Sequence, residues 1–75
     1  MREQILKILM EIEPFKNFEN SKDFFKEGLL DSFGIMIFIG KLEEIFNIKV
    51  SAEDIDASNF MNLDAILHLL EKYMD

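Results

Sequence analysis

Asp31-Ser32 is the pair in this sequence whose side chains and position best suit chemistry, because it stands just ahead of the largely apolar segment Phe33 to Phe46. Both residues have the short polar side chain that satisfies the free N–H groups of a helix start, and Ser32 is expected as the N-cap. A phosphate ester on the Ser32 hydroxyl would also be tolerated there. Free N–H groups and the positive end of the helix dipole favour an anion. Elsewhere the inventory is thin. His68, the only histidine, falls opposite the apolar stripe of its segment and is expected as a solvated surface residue. Nothing places it near a serine, as a nucleophilic relay requires. Glu43-Glu44 and Asp54/Asp56 read as solvated faces rather than acid–base pairs. Asp54-Ile55-Asp56-Ala57-Ser58 opens like a calcium loop, but Asn59 stands at the sharp-turn position and Ala65 at the closing carboxylate position. No metal site, no catalytic residue and no enzyme activity are expected.

Composition supports a binding role over a catalytic one. The chain has 75 residues with 8 Lys+Arg against 15 Asp+Glu, a net charge of −7. That charge excludes the electrostatic footprint of a nucleic-acid binder and opposes anionic membrane surfaces. It points to basic partners. Without cysteine there is no disulfide, no thiolate nucleophile and no Cys-based metal site. Met1 to Met10 alternates charged and apolar residues, unlike a targeting segment. The longest apolar run, Ile35 to Ile39, is bounded by Gly34 and Gly40 and falls far short of the roughly 20 residues of a membrane span. One soluble, cytoplasmic, monomeric domain over residues 1–75 is expected, without membrane insertion.

The elements that must position Ser32 are helical. Ile5, Ile8, Leu9 and Ile12 share one face of a first helix, which Pro14 ends. Residues 14–31 have no period, yet they carry Phe15, Phe18, Phe24, Phe25, Leu29 and Leu30, so this long loop is expected to pack against the helices. A second helix is expected over Ser32 to Phe46, closed by Asn47, followed by a loop with aliphatic anchors at Ile48 and Val50. Ser51-Ala52-Glu53-Asp54 carries the start signal of a short third helix. The last helix opens near Asn62 with Leu63, Ile66, Leu67, Leu70 and Met74 on one stripe. The expected fold is all-α, a small four-helix bundle with three main helices, one short helix and a long first loop.

The second helix has two apolar faces. Ile35, Ile39, Leu42 and Phe46, widened by Phe38 and Ile45, form a core stripe. Phe33, Met36, Ile37 and Gly40 lie opposite, with Glu43 and Glu44 one turn on. A helix packed on one side does not need this second stripe. Either the aromatic loop covers it, or it is an exposed patch for a partner; the second reading is preferred. Gly40, mid-helix at a cost of about 1 kcal/mol relative to Ala, suggests a close approach by the loop or by something outside the chain.

The run Glu27-Gly28-Leu29-Leu30-Asp31-Ser32-Phe33 resembles the phosphopantetheine attachment region of acyl carrier proteins, with Phe33 in place of the usual Leu. Leu42-Glu43-Glu44-Ile45-Phe46 with Ile48 and Val50, and Asn59-Phe60 with Asn62-Leu63 and Ile66, continue the likeness over nearly the whole chain. The resemblance implies the acyl-carrier four-helix fold and a 4′-phosphopantetheine arm on Ser32, flanked by Asp31. A phosphopantetheinyl transferase would supply the arm from coenzyme A with magnesium, and its thiol would hold cargo as a thioester. It further implies docking on acyl- or aminoacyl-activating ligases and synthases through Phe33, Met36, Ile37, Gly40, Glu43 and Glu44. Fatty-acid carriers usually have acidic residues where this chain has Gly34 and Ile37, so recognition here leans on apolar contact. The same run is similar to that of D-alanyl carrier proteins of teichoic acid modification. The expectation is an acyl carrier for fatty-acid, polyketide or specialised biosynthesis, or alternatively a D-alanyl or other aminoacyl carrier. A reading of another class keeps Ser32 as a cap only, in an unmodified protein-binding adaptor.

Overall fold

Charged residues alternate with apolar ones so that Arg2–Ile12 winds into helix α1 with Ile5, Ile8 and Leu9 on its buried face. The computed structural model describes residues 1–74; Asp75, the last residue of the expected domain, lies outside them. Helix α1 gives way at Glu13 (φ −133°, ψ 80°), the residue that Pro14 forces out of helical geometry. Helix α2 runs Ser32–Phe46 and closes on Asn47, whose left-handed φ of 54° lets its N–H reach the Glu43 carbonyl. A short 3-10 turn at Ala52–Asp54 precedes helix α3, Ala57–Phe60, and helix α4, Leu63–Glu71. Asn62 caps α4 as its sequence position suggests, with Oδ1 accepting from Ala65 N at 2.8 Å. Among the described residues there is no strand, and no helix is long and apolar enough to cross a membrane.

The core forms where α1 packs on α2 and α4, with α3 against α4. Ile5, Leu9, Phe18, Phe24, Phe38, Leu42, Phe60, Ile66 and Leu70 are fully enclosed there. Each large apolar side chain so buried is worth roughly 1.5–3 kcal/mol. The first loop is part of this core. Phe18 and Phe24 meet edge to face at 5.1 Å, and Phe24 N donates to Met61 O at 2.6 Å. Asn62 Nδ2 donates to Lys22 O at 3.0 Å, so the loop is tied to the α3–α4 junction.

Four expectations need correction. Phe15 does not pack with the other loop aromatics; it is 98% exposed, because the turn after Pro14 carries it outside the bundle. Ile45 is exposed at the rim between α2 and α1, rather than widening the core stripe. Met74 lies beyond the end of α4 and is exposed, while Leu69 supplies the buried contact instead. The Ser51 start signal produces the 3-10 turn, not the short helix. The Ser51 side chain makes no capping bond, and Asp54 turns its carboxylate to Tyr73 and Lys72. The short helix α3 begins later, where Asp56 accepts from Ser58 N at 3.3 Å.

Candidate functional site

The start of α2 separates two roles that the sequence assigned to one residue. Asp31 adopts extended geometry (φ −124°, ψ −177°), and its Oδ1 accepts from Gly34 N at 2.7 Å. Asp31 is therefore the N-cap, and Ser32 is the first helical residue, exposed and free of the capping role. The expectation that Ser32 caps the helix fails for a geometric reason. A capping side chain must sit one residue ahead of the helical dihedrals to reach back to the third amide. This correction removes the premise of the adaptor reading, in which Ser32 served as the cap.

Gly34 explains how the cap fits. A Cβ at this buried position would stand 3.2 Å from Leu30 Cδ2 and 3.3 Å from Asp31 Oδ1. The glycine lets the carboxylate and the buried Leu30 close on the helix start together. Upstream, Gly28 turns the chain at φ +74°, and its carbonyl accepts from Lys16 Nζ at 3.1 Å. Ser32 is thus carried on a rigid helix and approached by a tied loop.

The second stripe of α2 faces outward. Phe33 is 75% exposed, Met36 64% and Ile37 38%, and the first loop does not cover them. Gly40 is exposed, and a Cβ built there meets nothing within 4 Å, so none of the described residues makes the close approach that its sequence position suggests. Glu44 is exposed. Glu43 is half-buried and already employed: its Oε2 accepts from Val50 N at 2.9 Å, anchoring the loop after α2.

Beside Ser32 lies an open groove of about 400 Å³. Phe25, Ser32 and Ile35 line it from the first loop and α2; Ile55, Asp56, Ala57 and Phe60 line it from the segment around α3. Sequence reasoning missed this second wall. Its signal was slight, an isolated Ile55 between two aspartates in a stretch with no period. Phe60, whose ring meets Phe38 edge to face at 6.3 Å, fixes the floor.

The electrostatics of that wall centre on Asp54. The Tyr73 hydroxyl, followed by the Lys72 ammonium, holds its carboxyl below the usual carboxylate range. The same bond raises Lys72 above the ordinary lysine value. The groove itself is lined mainly by apolar side chains. An exposed hydroxyl at the positive end of a helix, with an apolar groove alongside, suits a phosphodiester-linked arm.

Comparison with known proteins agrees with that chemistry. A family model described as "Phosphopantetheine attachment site" matches residues 3–70. D-alanyl carrier proteins from Bacillus cereus (strain B4264) and Bacillus anthracis (strain CDC 684 / NRRL 3495) are each 30% identical over 73 residues, covering 95% of this chain and 92% of theirs. The match spans the first loop, the start of α2 and the groove walls, so it covers the site as well as the fold. The all-helical bundle is of acyl-carrier type, its cofactor is covalently attached 4′-phosphopantetheine, and its function is that of a carrier. Proteins of this kind are generally not catalytic and work with modifying transferases and with ligases or synthases. On its helical fold, its matched length and the site around α2, the chain belongs to the phosphopantetheine-dependent carrier proteins.

Proposed function

We propose that Ser32 bears the phosphopantetheine arm and that residues 1–75 act as one cytoplasmic carrier domain for a small aminoacyl thioester. The observation that carries this reading is the position of Ser32: first residue of α2, exposed, and relieved of capping by Asp31. In the loading step Ser32 Oγ forms the new P–O bond, adenosine 3′,5′-bisphosphate leaves coenzyme A, and the hydroxyl proton passes to the transferase. The backbone N–H groups of the first turn stabilise the resulting anion by about 0.3–1 kcal/mol. When bound, the arm supplies a thiol that holds cargo as a thioester. The chain's own residues do the rest: α2 carries the attachment point, and the groove walls Phe25, Ile35, Ile55 and Phe60 offer apolar surface beside it.

An aminoacyl cargo, D-alanyl by likeness to the relatives, is supported by their 30% identity across almost the full chain. The apolar lining of the groove supports a second reading, a short acyl chain from fatty-acid, polyketide or specialised biosynthesis. Docking is assigned to Phe33, Met36, Ile37, Gly40 and Glu44, with Glu43 acting chiefly as the anchor of Val50. Such a surface offers apolar contact at its centre and charge only at its edge. The protein's net charge of −7 speeds encounter with basic partners, and the apolar patch fixes the register. Fragmentation mass spectrometry of the modified protein tests the attachment. The added mass is expected on Ser32, and finding it on any other residue overturns the assignment. Screening the modified protein against amino-acid- and acyl-activating ligases then decides the cargo.

A further inference from the structure

Val50 and Phe60 are buried, but no residue from Ser51 to Asn59 is. The segment therefore has no apolar anchor of its own in the core. Yet through Ile55, Asp56 and Ala57 it forms a wall of the groove beside Ser32. Its internal bonds shape it without fixing it to the bundle: Asp54 N to Ser51 O at 2.9 Å, Ile55 N to Ala52 O at 3.2 Å, and Asn59 Nδ2 to Asp54 O at 2.9 Å.

The outside hold comes from the end of the chain. Tyr73 Oη accepts from Ser51 N at 3.0 Å and donates to Asp54 Oδ2. Lys72 Nζ donates to Asp54 Oδ1 at 3.0 Å. Among the described residues, these are the side-chain hydrogen bonds that reach Ser51–Asn59 from a distant element. Tyr73 is well placed for the task. Its ring packs against the core just past α4, and its N–H donates to Leu70 O at 3.0 Å. The Asp54 side chain is only 15% exposed, and its bond with the Tyr73 hydroxyl is half-buried, whereas Lys72 reaches it from the solvent side.

We propose that Tyr73, acting through Asp54 and Ser51, is a positioning residue for the groove. The C-terminal turn sets how far the Ile55–Ala57 wall stands from Phe25 and Ile35, and that spacing selects the size of cargo sheltered beside Ser32. This rests on Ser32 as the attachment residue. Removing the Tyr73 hydroxyl deprives the Ser51 N–H and one Asp54 oxygen of their partner together, while the ring stays in place. The wall then loosens without loss of the bundle.

Two measurements on wild type, Tyr73→Phe and Asp54→Asn test this. Amide hydrogen exchange on the unmodified protein is expected to accelerate roughly ten-fold at Ser51 and Ile55 in Tyr73→Phe, with Ile66 and Leu70 unchanged, as for local opening. Modified proteins loaded with straight-chain acyl groups, acetyl to octanoyl, are then cleaved with hydroxylamine. Protection of the thioester is expected to peak at a longer chain in Tyr73→Phe than in wild type. Asp54→Asn, which keeps an acceptor for the hydroxyl, is expected between them. Unchanged exchange at Ser51, or the same chain-length profile in wild type and Tyr73→Phe, would overturn the proposal. Failure of wild type to gain the arm at Ser32 would overturn the attachment residue instead, and the exchange measurement would still decide the role of Tyr73.

Discussion

The Asp31 carboxylate accepts a hydrogen bond from the Gly34 amide at 2.7 Å, and this contact leaves the neighbouring Ser32 hydroxyl free for modification. A carrier must present its attachment residue to one enzyme after another without unwinding the helix that displays it. With Asp31 as the cap, an arm on Ser32 as proposed would meet that requirement.

Stability should follow the division. Asp31→Ala is expected to destabilise the fold by roughly 0.5–2 kcal/mol, the usual value of a lost N-cap. Ser32→Ala is expected to stay within about 0.5 kcal/mol of wild type, as for an exposed residue without a structural partner. Thermal or urea denaturation of both variants checks this. An equal loss in the two would return the capping role to Ser32.

Gly34 tests the same corner from the other side. Gly34→Asp places a side chain against Leu30 Cδ2 and Asp31 Oδ1, where even a Cβ would lie at 3.2 and 3.3 Å. It also sets two carboxylates together. A loss of roughly 1–3 kcal/mol is expected, from crowding and like-charge repulsion. A stabilised variant would contradict the packing described for this turn.

The exposed stripe of α2 lets the proposed docking be tested apart from folding. Ile37→Glu, at a position 38% exposed, is expected to leave stability within about 0.5 kcal/mol while raising the KM of the loading ligase roughly ten-fold with kcat held. A large fall in melting temperature, or unchanged ligase kinetics, would remove Ile37 from the docking surface.

Asp54 gives a pH signature. Its carboxyl sits below the ordinary aspartate value of 3.8 because of the Tyr73 hydroxyl and then Lys72. A depressed folded-state pKa stabilises the fold above the unfolded pKa, and that contribution disappears as pH falls through the folded value. The melting-temperature difference between wild type and Asp54→Asn should therefore be full above about pH 5 and close as pH drops below 3.8. A difference independent of pH across that window would contradict the role given to the charge.

Much of the architecture is legible in the residues, and the gaps have physical causes. Ile5, Ile8 and Leu9 repeat at helical spacing and are buried as their period implies. Asn47 and Asn62 mark helix ends because their side chains and dihedrals act locally. Helix α2 is apolar on both sides, so its period does not decide which residues are buried. The period alone places Ile45 in the core, whereas the packing of α1 leaves it at the rim. Phe15 and Phe18 differ in burial by the whole scale although they lie in one aperiodic loop, because tertiary packing alone distinguishes them. At the site, the Asp31-Ser32 pair is visible in the sequence, but which residue caps is a matter of backbone geometry. Ile55 lines a groove with Ser32, and Tyr73 bonds Asp54, only once the chain has folded back on itself.

On the proposed function Ser32 receives the arm. Intact-mass spectrometry after incubation with coenzyme A, magnesium and a broad-specificity phosphopantetheinyl transferase tests it most directly. Wild type is expected to gain one phosphopantetheine mass, Asp31→Asn to gain the same mass, and Ser32→Ala to gain none. No gain by wild type, while a control carrier is modified in the same mixture, or an undiminished gain by Ser32→Ala, would contradict the account.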